Sequence, residues 1–282
     1  RRVEYIYPRV FPSRLGYEAS GVIEAVGPGV YEFSPGDKVS LIPSFCFHDY
    51  GTYGELVNVP VHAVVNNPEN LSFEEAAACW MMYLTAYGAL VEYANIKPGD
   101  YVLINAAAGS VGQAAIQIAN WRGANPIAMT RTSNKREQLL NFGAAAVIAS
   151  QEQDLGAEIE RITKGNGVRV VLDPVGGPGV AKIAQAMSPK GIFFQYGLLD
   201  VRDLTIPLSA ILGRRLTFRG YDVFEITTDS AKLARAIHSL SEGLNSGQLK
   251  PPVDKTFPLA DIAKAHEYME SSRHVGKIVV RV

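Results

Sequence analysis

Apolar and polar positions along this chain follow two different rhythms, and the change of rhythm divides it. Up to about residue 78, short apolar runs are broken every few positions by turn residues. Gly16–Val26 leads into Gly27-Pro28-Gly29, and Phe33-Ser34-Pro35-Gly36-Asp37 precedes the run Lys38–Pro43. Gly51–Val59 and His62–Asn66 follow, so the whole stretch reads as β-rich. Ser72, with Glu75 three residues on, makes a capping box that opens an almost charge-free helical run to Leu90.

From Tyr101 the pattern becomes regular. Strand Tyr101–Ile104 is followed by the small-residue run Asn105–Gly112 and a helix over Gln113–Trp121, with Ala114, Ile118 and Trp121 at helical spacing. Strand Pro126–Met129 completes a βαβ unit. Next come helix Ser133–Phe142 closed by Gly143, strand Ala144–Ala149, helix Asp154–Thr163, strand Val168–Leu172, helix Val180–Met187, and strands Gly191–Tyr196 and Leu216–Phe218. Alternating strands and helices predict an α/β fold with a parallel, doubly wound sheet. The tail adds helix Ser230–Leu244, a strand near Lys255–Phe257, helix Asp261–Ser271 and strand Lys277–Val282, which we expect to rejoin the β-rich N-terminal part. The predicted domains are 1–82 with 226–282, and 83–225.

Doubly wound sheets bind ligands beyond the carboxyl ends of their strands. Here the first strand of the regular part runs into Ala106-x-x-Gly109-x-x-Gly112, with alanine where the common fingerprint has its first glycine. Small residues at Ala106, Ala108, Gly109, Ser110, Val111 and Gly112 let backbone approach a pyrophosphate, the helix starting near Ser110 presents N–H groups to it, and Gly112 lets that helix lie close to its strand. A plain α/β turn is the bland alternative. After the second strand comes Thr130-Arg131-Thr132-Ser133-Asn134-Lys135-Arg136, with no acid before Glu137. A carboxylate there would serve NAD. Arg131, with Thr130, Ser133 and Lys135 in reach, suits the 2′-phosphate of NADPH. The alternative is a solvated first helical turn capped by Ser133 or Thr132. Asp173-Pro174-Val175-Gly176 and Tyr196-Gly197-Leu198, at later strand ends, are expected to line the same groove.

Composition changes this picture little. Apolar residues make up 47% of the 282 and the net charge is −1, which gives no basic field for nucleic acid. Cys46 and Cys79 are the only cysteines, which argues against a disulfide scaffold and suits the cytoplasm. Tyr101–Trp121 lacks charge, but Asn105, Ser110, Gln113, Gln117 and Asn120 and the strand-to-helix break exclude a membrane span. No secretory signal is evident, and the start at Arg1-Arg2 without Met suggests a fragment.

Several separated landmarks resemble the medium-chain dehydrogenase/reductase superfamily, in its zinc-free branch of NADPH:quinone reductases and zeta-crystallin-like proteins. They are Gly16-Tyr17-Glu18-x-x-Gly21 running to Val26-Gly27, Gly36-Asp37-x-Val39, Leu84-Thr85-Ala86-Tyr87, Gly99-Asp100 before the Ala106–Gly112 turn, and Gly276-Lys277-Ile278-Val279. The resemblance covers the whole chain. It implies a Rossmann dinucleotide domain beside a GroES-like catalytic domain, a cleft between them, and a homodimer. It places Thr85 near the nicotinamide or phosphate end, Ala108 to Val111 at the pyrophosphate, and Tyr196, Gly197, Phe224 and Lys277 as weaker contacts. Ser150 stands where those reductases often have an adenosine-stacking Tyr. Arg1 to Tyr5 resembles a basic segment followed by Tyr, which makes Tyr5 the proton-donor candidate; a packing tyrosine is the alternative.

In zinc-dependent relatives a His ligand occupies the position that is Tyr17 here. Cys46 and His48 alone do not make a zinc site, so no metal is expected. Hydride transfer without Lewis-acid help suits a quinone or an α,β-unsaturated carbonyl, whose developing charge is delocalised. Tyr7, Phe47, Tyr50, Tyr53 and Phe224 are candidates for an aromatic wall against a planar acceptor. The alternatives are an enoyl-thioester reductase and a non-enzymatic NADPH-binding protein of lens or RNA-binding type.

Overall fold

The computed structural model describes residues 14–46 and 49–282. Its first elements are β1 (Ser20–Val22), β2 (Lys38–Leu41) and β3 (Val64–Asn66), an antiparallel sheet in that order with Ser20 opposite Ser40 and Val39 opposite Asn66. Leu41, Phe45 and Ala63 form its small core, with Tyr17, Tyr50 and Val59 against it. The runs expected as strands at 16–26 and 51–59 are mostly irregular: only Ser20–Val22 pairs, and Thr52 and Tyr53 both donate to the Leu15 carbonyl rather than entering a ladder. Gly51 and Gly54 supply no side chain to pack there, so the short apolar run did not make a strand.

The capping box at Ser72 is present: its hydroxyl accepts from the Glu75 N–H and Glu75 accepts from the Ser72 N–H. The helix it starts is not continuous. It divides into α1 (Phe73–Ala77), α2 (Trp80–Tyr87) and a π-helical stretch Gly88–Tyr93, with Ala94 N–H bonding five residues back to Ala89. Burial of nearly every residue of α2 removes the one-faced periodicity that would have marked these breaks.

The alternating region follows as β4 (Tyr101–Asn105), α3 (Ser110–Trp121), β5 (Asn125–Thr130), α4 (Arg136–Asn141), β6 (Ala146–Ala149), α5 (Leu155–Thr163), β7 (Val168–Asp173), α6 (Val180–Gln185), β8 (Met187–Gln195), α7 (Leu208–Arg214) and β9 (Thr217–Gly220). The six strands are all parallel, in the order β6-β5-β4-β7-β8-β9, a Rossmann-type sheet whose order reverses between β4 and β7. Val102, Leu103 and Ile104 of β4 are wholly buried, as central parallel strands must be when helices cover both faces. One strand starts earlier than expected: β8 begins at Met187, ahead of the Ser188-Pro189-Lys190-Gly191 turn signal, and absorbs it as an irregularity in register. Helix α7 carries no strong periodic signal and escaped the sequence pattern.

The remainder comprises α8 (Phe224–Thr227), α9 (Ser230–Asn245), β10 (Val253–Pro258), α10 (Ile262–Glu270) and β11 (Lys277–Arg281). The Asp229 carboxylate caps α9 through the N–H groups of Ala231 and Lys232. β11 does not extend the three-stranded sheet; it pairs in parallel with β10 in a two-stranded sheet of its own. The chain divides into two compact units, one comprising residues up to Leu84 with Val223–Val282, the other Thr85–Asp222. Among the described residues no helix is long and apolar enough to cross a membrane.

Candidate functional site

At the end of β4 the chain must turn sharply into α3, and three residues shape that turn. Ala106 adopts a left-handed backbone (φ +50°), the conformation a glycine would take without strain. Asn105 steadies it: its Oδ1 accepts the Ala106 N–H at 2.8 Å while its Nδ2 donates to Asp173 Oδ1 at 3.1 Å. Gly112 then brings α3 against the turn, since a Cβ there would lie 2.6 Å from both the Cα and the carbonyl oxygen of Ala107. The buried Gln113 donates to the Ala108 carbonyl, which fixes the middle of the loop. Gln113 N–H bonds back to Gly109, and no side chain caps the first turn of α3 ahead of it. A twelve-residue helix therefore directs its positive end and unfilled donors out of the strand end, as an anion cradle does.

The turn after β5 carries the cationic residues. Arg131 is exposed, and no hydrogen bond or ion pair among the described residues engages its guanidinium. The Thr130 hydroxyl donates to the Thr132 carbonyl at 2.8 Å. Arg136 donates to the Val147 carbonyl and Gln153 Oε1, where it braces β6. Lys135 closes the short 3-10 turn Ser133–Lys135. Ser150 N–H donates to the Thr130 carbonyl and Gln151 N–H to that of Arg131, so the ends of β5 and β6 are stitched together. Ser133 N–H donates to Glu152 Oε1 at 3.0 Å, a contact with no counterpart in the sequence reading.

At the switch point, Asp173 is fully buried at the end of β7. Its Oδ1 accepts from Val175 N–H (2.5 Å), Gly176 N–H (3.2 Å) and Asn105, whereas Oδ2 has no hydrogen-bond partner. Burial pushes its pKa up against the pull of those three donors. Tyr196 follows on the neighbouring strand; its phenol is pushed far up by burial and by the Asp173 charge. The loops after β7 and β8 lie close, with Leu199 N–H on the Pro174 carbonyl, Asp200 N–H on that of Val175, and Gly197 so near Pro174 that a Cβ would sit 2.8 Å from its carbonyl oxygen. Pro174, Val175, Tyr196 and Gly197 thus share one edge, and Leu198 is 41% exposed beside them.

Thr85 is buried in α2. Phe224 and Lys277 belong to the other unit. There Phe224 opens α8, and Lys277 donates to Glu18 Oε1 while Glu18 Oε2 accepts the Met81 N–H. Burial pushes the Lys277 pKa down to about 8. Tyr50 meets Phe45 edge-to-face within the small core rather than presenting a free ring, while Tyr53 is 44% exposed beside His266. Tyr5, Tyr7, Phe47 and His48 lie outside the described residues. Cys46 is exposed and Cys79 is buried, its thiol pushed up by desolvation.

Comparison with known proteins agrees with this architecture. The model described as an alcohol dehydrogenase GroES-like domain matches residues 2–69, and that described as a zinc-binding dehydrogenase matches 142–280. A 2-haloacrylate reductase from a Burkholderia species is 30% identical over 95% of this chain and 81% of its own. This chain belongs to the medium-chain dehydrogenase/reductase superfamily. Among solved structures of the superfamily, an Escherichia coli quinone oxidoreductase complexed with NADPH superposes with a TM-score of 0.87 at 30% identity, covering 98% of this chain and 85% of that one. The enoyl reductase CurK gives 0.82 at 33%, covering 95% and 79%. The Rossmann-type sheet and the GroES-like N-terminal part are therefore those of a medium-chain oxidoreductase. Sequence reasoning missed Asn105, Gln113 and Glu152; the first meets its partner Asp173 68 positions away, which leaves no local signal.

Proposed function

We propose that the protein is an NADPH-dependent, zinc-independent oxidoreductase whose acceptor is a quinone or an α,β-unsaturated carbonyl. The observation that carries this reading is the pairing, one strand apart, of an uncapped α3 held down by Gly112 with an unengaged Arg131. These suit the two anionic parts of NADPH, the pyrophosphate and the 2′-phosphate. Ala108, Gly109, Ser110, Val111 and Gly112 would hold the former through backbone N–H groups. Arg131, with Thr130 and Lys135, would hold the latter, and Ser150 leaves the adenine end without an aromatic stack. Thr85, Asp173, Pro174, Val175, Tyr196, Gly197, Leu198, Phe224 and Lys277 complete the proposed set. When bound, NADPH supplies the hydride.

The acceptor class follows from what the chain offers. Tyr17 occupies the position of a zinc-ligating His in zinc-dependent relatives, and among the described residues no three His, Cys, Asp or Glu side chains converge. A conjugated acceptor spreads the incoming charge and needs only a proton, for which Tyr5 is the proposed donor. A second reading, enoyl-thioester reduction, is favoured by the likeness to CurK. Stopped assays of NADPH oxidation at 340 nm with a benzoquinone, an enone and a crotonyl thioester separate the two; no turnover with any of the three would refute both. Tyr5→Phe should lower kcat on the enone about tenfold or more while leaving NADPH affinity within twofold.

We place the protein in the cytoplasm as a homodimer. Leu199, Val201, Leu204, Leu208 and Leu212 are all exposed within one short stretch ahead of the edge strand β9, an apolar strip that water covers poorly.

A further inference from the structure

The turn after β5 already holds an anion, and that anion belongs to the chain. Glu152 Oε1 accepts the Ser133 N–H at 3.0 Å. Ser133, through its hydroxyl first and its backbone N–H second, holds the Glu152 carboxyl below its usual pKa. Ser133 is one of the residues from which the 2′-phosphate would draw hydrogen bonds. Glu152 is tethered there rather than drifting: Ser150 N–H and Gln151 N–H bond to the Thr130 and Arg131 carbonyls, and Glu152 N–H bonds to Ala149. Arg136 makes its hydrogen bonds to neutral acceptors, the Val147 carbonyl and Gln153 Oε1, and its charge adds a smaller pull that also lowers the Glu152 pKa, so Ser133 remains the direct partner of the carboxylate.

We propose that Glu152 is a specificity-determining residue, whose carboxylate occupies the 2′-phosphate seat and moderates the preference for NADPH over NADH. This rests on the NADPH reading above. Carboxylate and phosphate want the same donors and carry the same sign, so NADPH must displace Glu152 from Ser133 and then tolerate it nearby. An unphosphorylated ribose makes the opposite demand, since its hydroxyls donate to a carboxylate at this strand end. Arg131 pulls the selectivity one way and Glu152 pulls it back. The lack of any acid between Thr130 and Arg136 would, on its own, suggest a stricter enzyme than the folded turn provides.

The test is fluorescence titration of NADPH and of NADH against wild type, Glu152→Gln and Glu152→Ala, with a thermal melt of each. We expect Glu152→Gln to tighten NADPH by about three- to tenfold and to leave NADH unchanged or weaker, so the ratio of dissociation constants rises. Glu152→Ala should move that ratio in the same direction. If both variants shift the two dinucleotides equally, or leave both unchanged, Glu152 is only a cap on the 3-10 turn and the inference is overturned while the NADPH reading stands. If wild type prefers NADH or binds neither dinucleotide, the reading beneath fails and the inference falls with it.

Discussion

Ala106 and Gly112 mark the two tight points of the turn between β4 and α3, and they are tight in different ways. Ala106 sits at φ +50° with a Cβ it would do better without. Relief of that strain offsets the extra chain entropy of glycine, so Ala106→Gly should leave stability unchanged or raise it by up to about 1 kcal/mol in urea unfolding. A loss larger than that would show that the Cβ is doing something the backbone angle does not reveal. Gly112 is the reverse case. A Cβ there would lie 2.6 Å from Ala107 backbone, and backbone gives way less readily than the end of a side chain. Gly112→Ala should cost about 1–3 kcal/mol and weaken NADPH binding together, because moving α3 back moves its donors. Full stability with unaltered binding would contradict the close-packing account. The glycine spacing was readable from sequence; the alanine exception was readable too, but the Asn105 amide that supports it was not, because its partner Asp173 lies 68 positions away.

At the scale of elements, β4 and β7 are joined at their carboxyl ends by the Asn105–Asp173 contact, across the point where strand order reverses. The buried Asp173 has a folded pKa above its unfolded value. Its contribution to stability is therefore greatest below the unfolded pKa and is lost as pH rises through the folded one. Asp173→Asn keeps an acceptor at Oδ1 and removes the charge, so it should flatten that part of the pH dependence and match or exceed wild-type stability near pH 7. Urea midpoints from pH 3 to 7 check this; a parallel pH dependence in both proteins would contradict it. Strands and helices of the alternating region were legible because each shows its own period, and β6, α5, β7 and α9 fall within a residue or two of expectation. The N-terminal strands were less so. Of residues 51–59 only Val59 packs against the small core, and the ladder that would make them a strand depends on a neighbour at Leu15 that presents a single carbonyl.

At the scale of the whole molecule, two compact units share one chain that leaves the first at Leu84 and returns to it at Val223. The return was anticipated from the final strand, but its mode was not. β11 pairs edge to edge with β10, aligning Val253 with Lys277, which nothing local to either segment signals. The apolar strip ahead of β9 sets the proposed assembly. Leu208 and Leu212 are one helical turn apart on α7 and 67% and 68% exposed. Their joint replacement by Glu should halve the mass seen by size-exclusion chromatography with light scattering while leaving the fold intact. A wild-type protein that is already monomeric would overturn the dimer.

The account depends most on the charge at the end of β5. Arg131→Glu, titrated beside wild type with NADPH and NADH at the same moderate salt, tests it directly. The account predicts that NADPH binding weakens about tenfold or more while NADH stays within about threefold, because only the phosphorylated ribose meets the guanidinium. An unchanged preference between the two dinucleotides would contradict it.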